Sequence, residues 1–334
     1  MTHRRTLCGL INIVFILLAA CAPLGMPQSG AAPAAALLAP SAVPLPLPTP
    51  LPTRAPAAGA APVIHKALDL AYAHTQGVDT HLQSLDVYYT EPVSAHHPVI
   101  VYVHGGGWVS GDKTHLDFKP GFFLKAGYVF MSVNYRLSPE AKFPAHVQDV
   151  AAAIAWASRQ IGQYGGDPNH MFIGGHSAGG HLATLVATDE RYLKEQGLNL
   201  TAIKGVISID TAGYDFSVFA SRCKNHVLPD PYNIAFGQNP ADWKLASPVT
   251  YIAAGKHIPP MALIFSGDVG IGSEVLREQM AQEFGEKLSA ARIANEVFGT
   301  HKKNHSEINA DFGMPGDPVG AQTLEFLEKI LSGL

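Results

Sequence analysis

The feature that most constrains this chain is Gly175-His176-Ser177-Ala178-Gly179, set directly behind the apolar run Met171-Phe172-Ile173. A short buried strand that breaks into G-x-S-x-G and continues toward Ala187 as a helix has to turn sharply. The serine sits on a strained strand-to-helix turn, so its flanking residues must be small. Such a turn exposes the hydroxyl and sets the next backbone N–H groups at a helix N-terminus. The five-letter pattern alone is weak, because Gly and Ser are common. Its place between a buried strand and a helix gives it weight.

The rest of the chain after residue 62 alternates in the same way. Leu85–Tyr89, Pro98–Val103, Tyr128–Asn134, Met171–Ile173, Ile203–Ile209 and Met261–Phe265 read as strands, most of them apolar on both faces. Pro144–Ile161, Gly175–Ala187, Ser273–Ala290 and Ala321–Leu331 read as helices. This alternation predicts an α/β fold with a mostly parallel central sheet and helices on both faces. Thr211–Pro260 interrupts it and contains Phe216, Phe219, Tyr232, Phe236 and Trp243, which predicts a small cap rather than a bare loop.

A second motif, His104-Gly105-Gly106-Gly107-Trp108, follows the Pro98–Val103 strand. Three glycines permit a tight loop that presents N–H groups to a ligand. With Ser177 these motifs resemble the α/β-hydrolase superfamily, on its hormone-sensitive-lipase side. Val133-Asn134-Tyr135-Arg136-Leu137-Ser138-Pro139, Phe143-Pro144-Ala145, Asp149 and Gly165-Gly166-Asp167-Pro168 also fall where that family has them. The resemblance runs from about Leu82 to the C-terminus and is nearest to carboxylesterases related to acetylxylan and feruloyl esterases. It departs at His176, where many lipase-side members carry an acidic residue; formamidase and esterase neighbours resemble this elbow more.

The resemblance implies a serine esterase with a Ser, acid, His order. Ser177 is then the nucleophile and a late histidine its base. His301 and His305 both lie in a loop that precedes the last helix, and His305 matches the family position better. Asp268, ending the Met261–Phe265 strand, is the expected acid; Asp210, ending the strand before it, is the alternative. The N–H groups of Gly106, Gly107 and Ala178 are the expected oxyanion hole. Trp108 and His176 are candidate substrate contacts. The expected substrate is a short-chain acyl or sugar-linked ester, with an arylformamidase-like amide hydrolase or a silent binding module as alternatives. No cofactor or metal is expected.

Composition excludes other classes. A net charge of −4 leaves nothing to neutralise a row of phosphates, so no nucleic-acid partner is expected. Three cysteines exclude a disulfide-stapled mini-protein. Residues 1–20 begin with Arg4 and Arg5 and continue as an apolar run too short for a comfortable membrane span. The ending Leu18-Ala19-Ala20-Cys21 resembles the lipobox of bacterial lipoproteins, which implies a lipid on Cys21 and a cell-envelope location, with the outer membrane favoured where there are two membranes and the cell surface where there is one. Residues 22–62 hold 11 of the 25 prolines and a single charge, Arg54, and read as a tether. The α/β-hydrolase domain is expected over 63–334, with the cap at about 211–260.

Overall fold

The computed structural model describes residues 63–91, 93, 96–267 and 274–333. Residues 1–62, with the expected leader, Cys21 and tether, lie outside them, as does Asp268. In chain order the elements are β1 (Ile64–Ala71), β2 (Ser84–Thr90), β3 (His97–Val103), α1 (Lys119–Lys125), β4 (Val129–Val133), α2 (Ala145–Gln160), β5 (Gly166–His176), α3 (Ala178–Thr188), α4 (Glu190–Glu195) and β6 (Ile203–Ile209). There follow α5 (Phe216–Arg222), α6 (Tyr232–Phe236), α7 (Pro240–Ala246), β7 (Met261–Ser266), α8 (Glu274–Ala290), β8 (Asn295–Thr300), α9 (His305–Ala310) and α10 (Pro318–Leu331).

The eight strands form one sheet in the order β1-β2-β4-β3-β5-β6-β7-β8. From β4 to β8 every neighbouring pair is parallel; β1–β2 and β2–β4 are antiparallel. The parallel strands are apolar on both faces because helices cover both. Val99, Val101 and Val103 of β3 face a core completed by α2, α3 and α8, with Ile154, Leu182 and Phe284 among its members. Ile100 and Tyr102 of the same strand face a second core with Phe123 of α1 and Phe326 of α10. The two-residue strand period assigns each side chain to one layer or the other.

The chain leaves β3 to one side to form β4 and returns to its other side as β5. Loops after β3 and β5 therefore diverge at a switch point, where sheets of this kind open a crevice at the carboxyl ends of their strands. Both glycine motifs emerge there. Residues 211–260 fold into α5, α6 and α7, and Phe216, Phe219, Phe236 and Trp243 join the first core. Among the described residues, no helix is long and apolar enough to cross a membrane.

Candidate active site

Ser177 lies between β5 and α3 with φ 54° and ψ −116°, a backbone strain stored at the turn. Two neighbours hold it there: its N–H donates to the Ile209 carbonyl at 2.8 Å, and its own carbonyl accepts from His181 N–H at 3.0 Å. The turn is possible because α3 starts against β3. A Cβ on Gly179 would overlap the carbonyl oxygen of Val103. This is the physical content of the second glycine in the motif.

His305 is the first residue of α9, not part of an extended loop. Asn304 caps that helix by accepting from Ser306 and Glu307 N–H, and the Glu307 carboxylate accepts from Asn304 N–H at 2.9 Å. The pattern Asn-x-x-Glu before Ile308 is a capping-box signature legible in the sequence. It fixes the imidazole so that Nε2 lies 3.1 Å from Ser177 Oγ. The alternative, His301, is mostly exposed and turns to Glu278 at 3.6 Å.

The carboxylate on His305 Nδ1 is Asp210, at 2.6 Å. The expected acid, Asp268, lies outside the described residues; among those residues the alternative, Asp210, fills the orienting position. Asp210 follows β6 with φ 52°, which turns its side chain across the end of the neighbouring strand β7. There Ser266 donates to it from both N–H and Oγ, each at 2.7 Å. Arg277 Nε lies 3.7 Å from Oδ2. Burial pushes the Asp210 pKa up. The hydrogen bond and charge of His305, the charge of Arg277 and the Ser266 hydrogen bond outweigh it and hold the carboxyl below its ordinary value. An ionised carboxylate only accepts, so Nδ1 carries the imidazole proton and Nε2 is left to accept one from Ser177.

His176, a candidate substrate contact, is buried against His305. Its ring packs on His305 at 4.4 Å between centroids, and Nε2 donates to the His305 main-chain carbonyl at 2.9 Å. Burial, then the neighbouring His305, depresses its pKa to about 3, so it is neutral. His176, Asp210 and His305 also bring possible metal-ligand atoms within 4.8 Å of one another. Within this group His305 Nδ1 is bonded to the Asp210 carboxylate and His176 Nε2 to the His305 carbonyl.

The glycine loop is built from one side by its own turn. The Gly106 carbonyl accepts from Val109 N–H, Ser110 N–H and Ser110 Oγ. From the other side, His104 stacks on Tyr135 at 4.4 Å, and the Tyr135 hydroxyl donates to the His104 carbonyl. Gly106 has φ 112°, a conformation open to glycine rather than to a side chain. Among the described residues, Gly106 and Gly107 N–H donate to no protein acceptor, and Ala178 N–H is the unpaired first donor of α3. Trp108 is buried in an aromatic cluster, 4.8 Å from Phe236, 5.0 Å from Tyr232 and 5.3 Å from His181 between ring centroids. It joins the glycine loop to the cap helices. Behind the loop, Asp149 of α2 accepts from Arg136 N–H, Nε and NH2, and from Gln83 Nε2. That network holds the segment after β4 in place.

The family model described as BD-FAE matches residues 85–284. Esterase LipC of Mycobacterium tuberculosis is 30% identical over 240 residues, 66% of this chain and 56% of the relative. The chain spans about half the length of the curated relatives it matches. Esterase B from Lactobacillus rhamnosis is similar in structure with a TM-score of 0.65 at 20% identity, over 81% of this chain and 88% of that one. A truncated carbohydrate esterase from gut microbiota is similar with a TM-score of 0.64 at 19% identity, over 80% and 96%.

Proposed function

Since the chain belongs to the BD-FAE family and has the α/β-hydrolase fold, we propose that it is a serine carboxylesterase working through an acyl-enzyme on Ser177. The observation that carries this reading is the line Ser177 Oγ, His305 Nε2, His305 Nδ1, Asp210 Oδ2, with contacts of 3.1 and 2.6 Å. Ser177 Oγ attacks the ester carbonyl while His305 Nε2 takes its proton. Asp210 keeps the reactive tautomer and stabilises the imidazolium. The N–H groups of Gly106, Gly107 and Ala178 receive the charge that develops on the carbonyl oxygen. His305 returns the proton to the leaving alcohol, and water then releases the acid by the same steps in reverse. The reaction as written needs no metal or cofactor.

The substrate side follows from the cap. Pro231 lies against Gly107, close enough that a Cβ there would meet its ring, and Tyr232 packs on Trp108. This wall beside the glycine loop favours a short acyl group, with a simple or sugar-linked alcohol on the open side. A fluorophosphonate should label Ser177, and p-nitrophenyl acetate should be hydrolysed faster than N-formylkynurenine. Absence of labelling on folded protein refutes the acyl-enzyme, and the opposite substrate order moves the reading to an amide hydrolase. Acetylated and feruloylated oligosaccharides then define the alcohol. For location, the proposal is a bacterial envelope lipoprotein anchored through Cys21. A Cys21→Ala chain that still fractionates with membranes after detergent-free lysis contradicts it.

A further inference from the structure

Burying a lysine is costly, because an ammonium ion leaves water for few partners. Lys119 opens α1 with its side chain wholly buried, and no step of the mechanism uses it. Its Nζ donates to the main-chain carbonyl of Asn309 at 2.6 Å, lies 5.4 Å from the centroid of the Tyr102 ring and 3.7 Å from Asp117 Oδ2. The Tyr102 hydroxyl donates to Asn309 Oδ1 at 2.7 Å. Asn309 is thus gripped twice, by α1 at its carbonyl and by β3 at its side chain.

Asn309 is in the last turn of α9, and His305 is in its first. A helix of six residues does not hold its own geometry, so its placement depends on what fixes its ends. The Asn304–Glu307 box fixes one end. Lys119 and Tyr102 fix the other, where a cation also complements the helix dipole. The same ammonium sits beneath the strand ends: Lys119 lines a small void with Tyr102 of β3, Gly174 and Gly175 of β5, and Ile209 of β6. Those strands deliver the glycine loop, Ser177 and Asp210.

We propose that Lys119, together with Tyr102, is a positioning residue that sets the His305 imidazole in register with Ser177 and Asp210. The proposal rests on the acyl-enzyme reading above. Lys119 touches no reacting atom and acts through α9. Its charge has a second effect. It joins burial and His305 in opposing a proton on His176, whose ring packs on His305. Burial lowers the Lys119 pKa to about 8 against the opposing charges of Asp117 and Asp317, which leaves the ammonium dominant at neutral pH.

The test is Lys119→Met, Lys119→Gln and Tyr102→Phe, assayed for kcat and KM on a p-nitrophenyl ester, beside fluorophosphonate labelling of the unaltered protein. Lys119→Met should lower kcat by about tenfold or more with KM within about threefold, the signature of a misplaced group rather than lost binding. Lys119→Gln keeps a donor without charge, and should recover much of kcat. Tyr102→Phe keeps the core filled and should lower kcat several-fold. Failure of the unaltered protein to label defeats the acyl-enzyme reading itself. If it labels, and Lys119→Met folds with unchanged kcat, the positioning role is overturned, whether or not Tm falls. Should Lys119→Met not fold, Tyr102→Phe decides: unchanged kcat overturns the proposal, and a lower kcat at unchanged KM supports it.

Discussion

Replacing Asp210 by Asn changes a single atom type at the centre of the site, and its effect follows from the bonds that Asp210 makes. Oδ1 accepts from Ser266 N–H, an obligatory backbone donor, so the Asn carbonyl oxygen takes that place. The amide nitrogen must then occupy the Oδ2 position, 2.6 Å from His305 Nδ1 and 2.7 Å from Ser266 Oγ. A donor facing Nδ1 turns the imidazole to the tautomer with its proton on Nε2, pointed at Ser177. His305 then holds a proton where it should accept one, and the imidazolium loses its counter-charge. A wrong tautomer in a triad of this geometry costs about 10⁴ in kcat, about 5 kcal/mol of transition-state stabilisation. We therefore expect kcat on p-nitrophenyl acetate to fall by about 10³–10⁴ in Asp210→Asn with little change in KM. Asp268→Asn should stay within about tenfold, because Nδ1 already has its acceptor. Stopped-flow and steady-state assays on folded variants measure both. The opposite order, with Asp210→Asn nearly normal and Asp268→Asn crippled, refutes this reasoning and returns the acid to the end of β7.

Three further outcomes follow from the same geometry. Ser177→Ala should fold normally by circular dichroism and lose about 10³ or more in kcat, and turnover near that of the unaltered enzyme eliminates Ser177 as nucleophile. Gly179→Ala sets a methyl group against the Val103 carbonyl and should destabilise the fold by about 1–3 kcal/mol, read as a lower urea midpoint. Acid should weaken the fold well before the carboxylates titrate: burial holds His104 and His181 at about 4, and His146 and His176 at about 3. In the unfolded chain a histidine titrates near ~6.5, so between those values the unfolded chain binds more protons and stability falls as pH falls. Each such residue contributes a loss of about 2 kcal/mol at pH 5 relative to pH 7. A urea midpoint unchanged between pH 7 and pH 5 contradicts the burial of these rings.

The parts of the site that were legible in the sequence are those where local sterics leave no choice. Ser177 is marked by glycines that the approach of α3 to β3 demands, and the loop at 104–108 by a backbone that only glycine follows at residue 106. The acid was not decidable in this way. In the sequence Asp210 and Asp268 each come after an apolar run that reads as a strand, and a one-dimensional pattern cannot say which run's end leans across to the histidine. What brings Asp210 to the imidazole is its φ and the two donors of Ser266, a residue of the other strand. Strand β1 was missed for a related reason: it is an edge strand, mostly exposed, without the apolar run that marks the buried strands. The antiparallel start of the sheet went with it. The partner of His176 was not legible either: it is a carbonyl on α9, 129 residues away. Lys119 was least legible of all. A lysine in sequence reads as surface, and nothing nearby announces that the chain closes over it. Its meaning depends on Asn309, 190 residues later, so the support of His305 is a property of the fold alone. Where a functional side chain is held by a short helix, the sequence displays the cap it carries with it, Asn304-x-x-Glu307, and conceals the clamp supplied from elsewhere.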